Sequence, residues 1–355
     1  MKKALKIILI ALLVIVLLVA ALFAYLTVTA LDPEKETAVI THGENSTETV
    51  KTGEELTILT WNVGYCGLGE ESDFFMDGGE QTRIYSKDIV QKNIDGVVGF
   101  VKDTAADFTF LQEIDRGKNT HSYGLDEYGT MLSAVRLDTA HSLNYKCDFV
   151  PYPLPPIGKI SCGIMTLSHS PITDAQRIAL PSPFTWPVSV ANLKRCMMPV
   201  YIDIEGTDKQ LVLINFHLEA YDNGEGKIAQ TKALNEFMLS EYAKGNYVIA
   251  GGDWNQCFPG ALDRYPNTHP ELWEPGILLN DSIPENWSFA YDISTPTCRL
   301  LNQPYDPADT VNTQYYVIDG FVVSPNVTVS SAETVDLEFK YSDHNPVLLT
   351  FTLAE

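Results

Sequence analysis

The chain has 355 residues, long enough to bury a large core, and 45% of them are hydrophobic against 20% charged. That is the composition of a folded globular protein and excludes a disordered one. The formal net charge is −22, which excludes binding a nucleic acid through a broad basic surface, because a polyanion is repelled unless a metal or a local basic patch intervenes.

Lys2, Lys3 and Lys6 precede an uncharged stretch of 25 residues from Ile7 to Leu31. A stretch of that length crosses a hydrocarbon core of roughly 30 Å. A cleaved secretory signal is one reading, with Val28-Thr29-Ala30 offering small residues for cleavage. An uncleaved signal anchor fits better, since the apolar region of a signal peptide runs only about 7–15 residues. Lysines before the stretch and acidic residues after it place the rest of the chain outside the cytoplasm. The expectation is a single-pass cell-membrane protein, or a secreted one if the segment is removed. From Leu31 onward 21 basic residues face 46 acidic ones. Residues 32–55, rich in Thr, Glu and Ser, read as an extracytoplasmic linker, and 56–355 as one domain.

Within that domain, apolar runs predict strands at 56–61, 108–111, 163–167, 200–204, 211–216, 247–250, 316–323 and 347–353. Between the first two, Ile94, Val97, Val98 and Val101 recur at helical spacing. A second helix spans 227–244, with Leu234, Phe237 and Met238 on one face and Gly245 as its stop. Residues 205–208 link two adjacent strands as a hairpin. Interleaved helices and hairpins together imply mixed sheets with helices outside. Long irregular segments, among them 65–82 with Glu70, Glu71, Asp73 and Asp77, leave the same strand ends as the polar groups below. Six cysteines are scattered without zinc-type spacing; Cys162 and Cys196 read as core residues, and neither Cys66 nor Cys257 carries a thiol-enzyme signature. Export permits disulfides without assigning them.

Several of the apolar runs stop on a carboxylate, amide or imidazole. They are LTILTWNVG with Asn62, FTFLQE with Glu113, LVLINFH with His217, YVIAGGDWN with Asp253 and Asn255, YVIDGF with Asp319, and YSDHNPV with Asp343 and His344. A buried strand that ends this way delivers a side chain to the sheet rim, and several in one chain build a site. Asp253 and Asn255 are two apart and can share one side of an extended segment, with Gly251 and Gly252 allowing close backbone approach. His344 is suited to accept a proton near neutral pH, and Asp343 beside it faces the other way on an extended chain.

This ordered set resembles the endonuclease/exonuclease/phosphatase superfamily, the deoxyribonuclease-I-like hydrolases, from Leu56 to Leu353. The resemblance implies a four-layer α/β sandwich of two packed mixed β-sheets flanked by helices, here with an N-terminal transmembrane helix. It also implies a metal-dependent phosphoric ester hydrolase using Mg2+, or Mn2+. By that likeness Glu113, Asn62 and Asp343 lie on the metal side, and Asn62 binds metal or phosphate. His344 is the general base oriented by Asp319; Asp253 orients or deprotonates water or assists the leaving group; Asn255 holds a phosphoryl oxygen; His217 donates to a phosphate oxygen or leaving group. Lys227 and Gln230 read as supports. Arg116 and Arg299 sit in loops that reach the mouth and are the tentative substrate contacts, whereas Lys118, Lys194 and Arg195 read as salt-bridge partners.

The implied substrate is a phosphodiester or phosphomonoester of a small molecule, sugar or lipid head group. An extracellular endo- or exonuclease of the same fold is the alternative, disfavoured by the missing basic run. A non-catalytic binding module is the second alternative, and the retained set of polar residues argues against it. No protein partner is inferable.

Overall fold

The structure, a computed structural model, describes residues 2–31, 39–41, 46–309 and 311–355. The first sheet contains β1 (Val39–Thr41), β2 (Glu55–Asn62), β3 (Phe108–Asp115), β4 (Asp138–Val150) and β5 (Gly158–Ser168). The second contains β6 (Ile172–Ala175), β8 (Cys196–Asp203), β9 (Gln210–His217), β10 (Tyr247–Asp253), β13 (Ser288–Ala290) and β16 (Asp319–Val323), with β7 (Ile178–Ala179) also on β8. Two short ribbons pair β11 (Gln256–Cys257) with β12 (Gly276–Ile277) and β14 (Cys298–Arg299) with β15 (Tyr315–Tyr316). The last strands, β17 (Val327–Thr334) and β18 (Val347–Leu353), return to the first sheet, whose order is β1-β4-β5-β3-β2-β18-β17. The second sheet runs β13-β16-β10-β9-β8-β6. Parallel pairs (β2 with β3, β9 with β10) mix with antiparallel ones in both sheets.

The sheets pack face to face. Ile58, Phe110, Ile164 and Phe351 of the first meet Met198, Leu213, Ile249 and Phe321 of the second in one buried core. β18 shows why: Val347, Leu349, Phe351 and Leu353 are buried while the residues between them are partly exposed, the alternation that a strand imposes. Outside the first sheet lie α2 (Lys87–Thr104) and α3 (Glu127–Val135), and outside the second lies α4 (Glu225–Tyr242). α2 is capped by Ser86, whose hydroxyl accepts from Ile89 N at 3.3 Å, and buries Ile94, Val97 and Val101 against Leu59, Trp61 and Leu111. α4 sets Leu234 and Met238 on Val212, Ile214, Val248 and Ala250. Helix, sheet, sheet and helix are therefore the expected four layers.

Two long strands, β4 and β17, were not expected, because their sequences carry polar residues through most of their length. The expected strand at 316–323 divides into β15 and β16, since Val317 and Ile318 turn their backbone toward Phe258 and Trp254.

The N-terminal helix α1 (Lys2–Thr29) is long and apolar enough to span a membrane, and most of it is exposed. Its far end is not. Leu26 packs among Cys147, Val150, Ile160, Cys162 and Val190; Tyr25 donates to Asp148 Oδ2 at 2.7 Å; and Trp186 Nε1 donates to Thr27 Oγ1 at 3.1 Å. The expected linker 32–55 is tied to the domain at three described places. Val39–Thr41 pairs with β4, Ser46 is buried with its hydroxyl on Ser168 O, and Val50 bridges Ile204. The rest of the linker, 32–38 and 42–45, lies outside the described residues.

Candidate functional site

Strand register alone assembles half of the site. Asp253 at the end of β10 is the Cα partner of His217 on β9 and of Asp319 on β16, so the three stand on one rung. In the facing sheet Asn62 ends β2 opposite Gln112. A break in the β3–β5 register between Leu111 and Ile114 puts Glu113 at φ 55°, a bulge that re-aims its carboxylate along the rim. Close approach of the backbones explains two glycines. Gly252 has φ 148° and a Cβ there would fall 2.0 Å from Phe216 O, while a Cβ on Gly64 would meet Asp343 Oδ1 at 2.8 Å.

Behind the rim, a buried polar network spans the two sheets. Gln112 Nε2 donates to Asn215 Oδ1 at 2.8 Å and to Thr60 Oγ1 at 3.1 Å, and Asn215 Nδ2 donates to Met165 O at 2.9 Å. It lies one residue before Glu113 and two before His217.

His344 is held from three directions: its Nδ1 is 2.8 Å from Asp319 Oδ2, its carbonyl accepts from Trp61 Nε1 at 2.8 Å, and its backbone bridges Cys298. Its Nε2 lies 3.8 Å from both Asp253 Oδ2 and Asp343 Oδ2. Burial disfavours the imidazolium, but the negative charge of Asp319 outweighs it and holds His344 well above its ordinary pKa. His217 is the opposite case. Burial and the nearby Arg195 hold it well below the ordinary value, so it is neutral; Nε2 is 3.3 Å from Asp253 Oδ2 and Nδ1 is buried without a hydrogen-bond partner.

The chemistry of the donor set tests whether a cation fits. Burial, aided by the charges of Asp343 and Asp253, pushes the Glu113 carboxyl up to about 7. Asp343 is also raised by burial. Crowded carboxylates that are costly to ionise in a dry rim suit a hard divalent cation with oxygen ligands. Compact ligand groups occur as Asp253, Asp319 and His344, and as Cys298, Asp343 and His344, each within 4.8 Å. Glu113 belongs to neither. Asn62 Oδ1 accepts from Gly64 N at 3.0 Å, which turns its amide nitrogen to Asp253 Oδ2 at 2.9 Å. Asn62 therefore presents a donor toward Asp253, which suits a phosphoryl oxygen or a carboxylate. Asn255 anchors its own amide nitrogen on Leu218 O at 3.0 Å while its N–H donates to Asp253 Oδ1 at 2.8 Å.

The two arginines expected at the mouth do other work. Arg299 is 1% exposed, and its guanidinium donates to the carbonyls of Gly69 (2.8 Å), Ser72 (3.0 Å) and Gln303 (3.1 Å). It clamps the 64–82 loop to the β14 segment and cannot reach a substrate. Replacing it by Met leaves those acceptors without their buried donor, so Arg299→Met is expected to cost about 3 kcal/mol, read as a lowered melting temperature with KM unchanged in the folded fraction. Arg116 lies over the Tyr128 ring at 4.8 Å with Nη1 3.4 Å from His141 Nδ1. The acidic loop is likewise satisfied internally: Glu70 and Glu71 pair with Lys92, Asp73 accepts from the backbone of Glu80 and Gln81, and Asp77 accepts from Tyr221.

Arg195 was expected only as a salt-bridge partner. It does pair with Glu219 at 3.7 Å, but its Nε and Nη1 have no hydrogen-bond acceptor, and its charge reaches both Glu113 and His217. Nothing in its sequence neighbourhood signals that. Tyr65, stacked on His121 with ring centroids 4.2 Å apart, and Tyr221 also border the acidic cluster; both phenols are raised first by burial and then by carboxylates including Glu113 and Asp343. Lys227 and Gln230 hold the turn after His217, through Ala220 O and Asp222, and through Glu219 N and Pro181 O. All six cysteines are free and buried, and burial pushes the Cys257 and Cys298 thiols up to about 12, the range of inert thiols.

The profile of the Endonuclease/Exonuclease/phosphatase family matches residues 59–344. Among solved structures, an endonuclease/exonuclease/phosphatase from Beutenbergia cavernae DSM 12333 superposes with TM-score 0.57 at 17% identity, covering 84% of this chain and 72% of that one. The corresponding protein from Bacteroides vulgatus gives 0.54 at 17%, covering 84% and 99%. TDP2 from D. rerio, complexed with a single-strand DNA product, gives 0.50 at 15%, covering 84% and 99%. At these identities the likeness is one of fold. No curated protein matches the sequence significantly. With residues 59–344 matched and Glu113, Asp253 and the Asp319–His344 pair converging from both sheets on one end of the sandwich, the chain belongs to the endonuclease/exonuclease/phosphatase family.

Proposed function

We propose that the protein is a divalent-metal-dependent phosphoesterase, using magnesium or manganese, that hydrolyses a phosphodiester or phosphomonoester of a lipid head group, sugar or other small molecule. We place it at the membrane through α1, with the catalytic domain on the extracytoplasmic side. The observation that carries the reading is the buried Asp319–His344 pair, whose Nε2 lies 3.8 Å from both Asp253 and Asp343. A histidine fixed by a carboxylate beside crowded acidic groups is an arrangement for moving a proton at a phosphoester.

A divalent cation held by Glu113 and Asp343 would neutralise charge on the phosphoryl oxygens and help the departing oxygen. The chain's own groups do the rest. The Asn62 amide nitrogen and neutral His217 supply hydrogen-bond donors to phosphoryl oxygens, and Arg195 adds positive charge behind them. Asp253 orients the attacking water, being within 3.3 Å of His217 Nε2 and 3.8 Å of His344 Nε2. His344 takes the water's proton at Nε2 while Asp319 fixes its tautomer through Nδ1. Asn255, whose amide nitrogen is engaged, offers its side-chain oxygen and holds the Asp253 segment in place.

A nuclease reading draws on the D. rerio TDP2 structure with its DNA product. This chain lacks a basic run, its net charge is −22, and Arg299 is committed to backbone carbonyls. Useful nucleic-acid affinity normally needs several phosphate contacts from Lys or Arg. The test is a hydrolysis panel with magnesium at physiological salt: bis(p-nitrophenyl) phosphate, sphingomyelin, phosphoinositides, sugar phosphates and plasmid DNA. The best small or lipid ester is expected to exceed DNA in kcat/KM by at least about tenfold; a tenfold advantage for DNA installs the nuclease instead.

A further inference from the structure

α1 sets a plane. A span of roughly 20 residues crosses the hydrocarbon core, and counting back from Leu26, the first residue of the helix to be fully buried against the domain, that span ends at Ile7, next to Lys6. The membrane-water interface on the domain's side therefore falls at Tyr25 to Thr27. Two segments of the domain lie at that level: Asp148, bonded to Tyr25, leads through Phe149 at the end of β4 into the 151–157 loop, and Trp186, bonded to Thr27, sits in the 180–195 loop.

Both segments carry large apolar side chains with nothing over them. Phe149 is 40% exposed, Tyr152 72%, Leu154 81%, Trp186 62% and Val188 58%. Scattered exposed hydrophobics are ordinary, but a cluster on two segments beside an apolar helix is an interaction surface. Tyr and Trp belong at membrane-water interfaces, where an apolar ring and a polar edge are both served.

Register shows where these loops stand relative to the chemistry. Asp115, two residues after Glu113, pairs with Cys162 on β5, so the 151–157 turn before β5 projects past the rim that carries Glu113. Met197 on β8 pairs with Phe216, so residues before β8 project past the rim that carries His217. A cavity of about 500 Å3 lies between the second loop and the start of α4, lined by Pro183 and Phe184 of that loop and by Tyr221. Tyr221 in turn donates to Asp77 and feels the charges of Glu113 and Asp343.

We infer that Phe149, Tyr152, Leu154, Trp186 and Val188 form a rim that inserts into the bilayer crossed by α1, seating the catalytic mouth on the lipid surface and making a membrane phosphoester its substrate. This rests on the membrane-held phosphoesterase proposed above. The full chain is reconstituted into phosphatidylcholine vesicles, with and without brominated acyl chains, as wild type and as Trp186→Phe. Bromine is expected to quench a fluorescence component that the variant lacks. The triple variant Tyr152→Ser, Leu154→Ser, Trp186→Ser is then assayed on sphingomyelin and phosphoinositides in the vesicles and on soluble bis(p-nitrophenyl) phosphate. A loss of at least tenfold confined to the lipid substrates supports the rim. Vesicle flotation with Trp186 unquenched, equal loss on both substrate types, or turnover of the soluble ester without any lipid ester overturns it. Failure of the full chain to float with vesicles, or absence of all hydrolysis, instead removes the anchor or the enzyme reading beneath it.

Discussion

His344→Ala is expected to lower kcat/KM by roughly 10²–10⁴, the range that a positioned acid-base group supplies, and Asp319→Asn to fall in the same range. The double variant should lose little more than the worse single one, because a histidine and the carboxylate 2.8 Å from its Nδ1 act as a unit. Charge makes the pairing separately readable. Asp319 holds His344 above its ordinary 6.5, and the imidazolium cannot take a proton. In the wild type kcat/KM should therefore climb with pH through a value above 6.5. Asp319→Asn removes the carboxylate charge that raised it, so the residual activity should climb at lower pH. Additive losses, or an unmoved pH limb, would separate the two residues.

Chelation is the second large effect. Removing divalent ions is expected to abolish turnover, and magnesium or manganese to restore it. Glu113→Gln should raise the magnesium needed for half-maximal activity by at least the roughly 10–100-fold that loss of an outer-shell partner costs. Because burial holds the Glu113 carboxyl at about 7, the group carries a proton below that pH, and a cation must displace it. Apparent metal affinity, measured by calorimetry on the chelated protein, should thus rise with pH and flatten above about 7. Glu113→Gln, which has no proton to lose, should flatten the same curve. Full activity in excess chelator would remove the metal altogether.

Strand-borne features were legible in the sequence, and side-chain direction was not. Asn62, His217, Asp253 and Asp319 each end a strongly apolar run, and register carries them to one edge. β4 and β17 escaped because their polar residues dilute the alternation that marks a strand. Arg299 shows the limit for single residues. A lone arginine in a loop looks the same whether it faces solvent or, as here, sits 1% exposed among backbone carbonyls. Asn62 shows another, since which end of its amide faces the cleft is decided by the Gly64 N–H beside it. The attachment of the linker was not legible because Thr, Glu and Ser suit a tether equally well as an edge segment such as 46–50, held by Ser46 and Val50.

The Gln112–Asn215 contact has a bearing on evolution in the laboratory. One sheet contributes Asn62 and Glu113 and the other His217 and Asp253, so the two halves of the cleft are aligned only as well as the slabs are keyed together, and this amide pair is a key between them. Replacing both partners of a buried hydrogen bond by apolar groups of matching shape is often neutral or stabilising. Here Gln112→Met with Asn215→Leu would also strip Thr60 Oγ1 and Met165 O of their buried donors, so it is expected to cost stability, and turnover with it, since a misplacement of about 1 Å can cost roughly 10²-fold in rate. Stability and speed therefore hang on one buried pair.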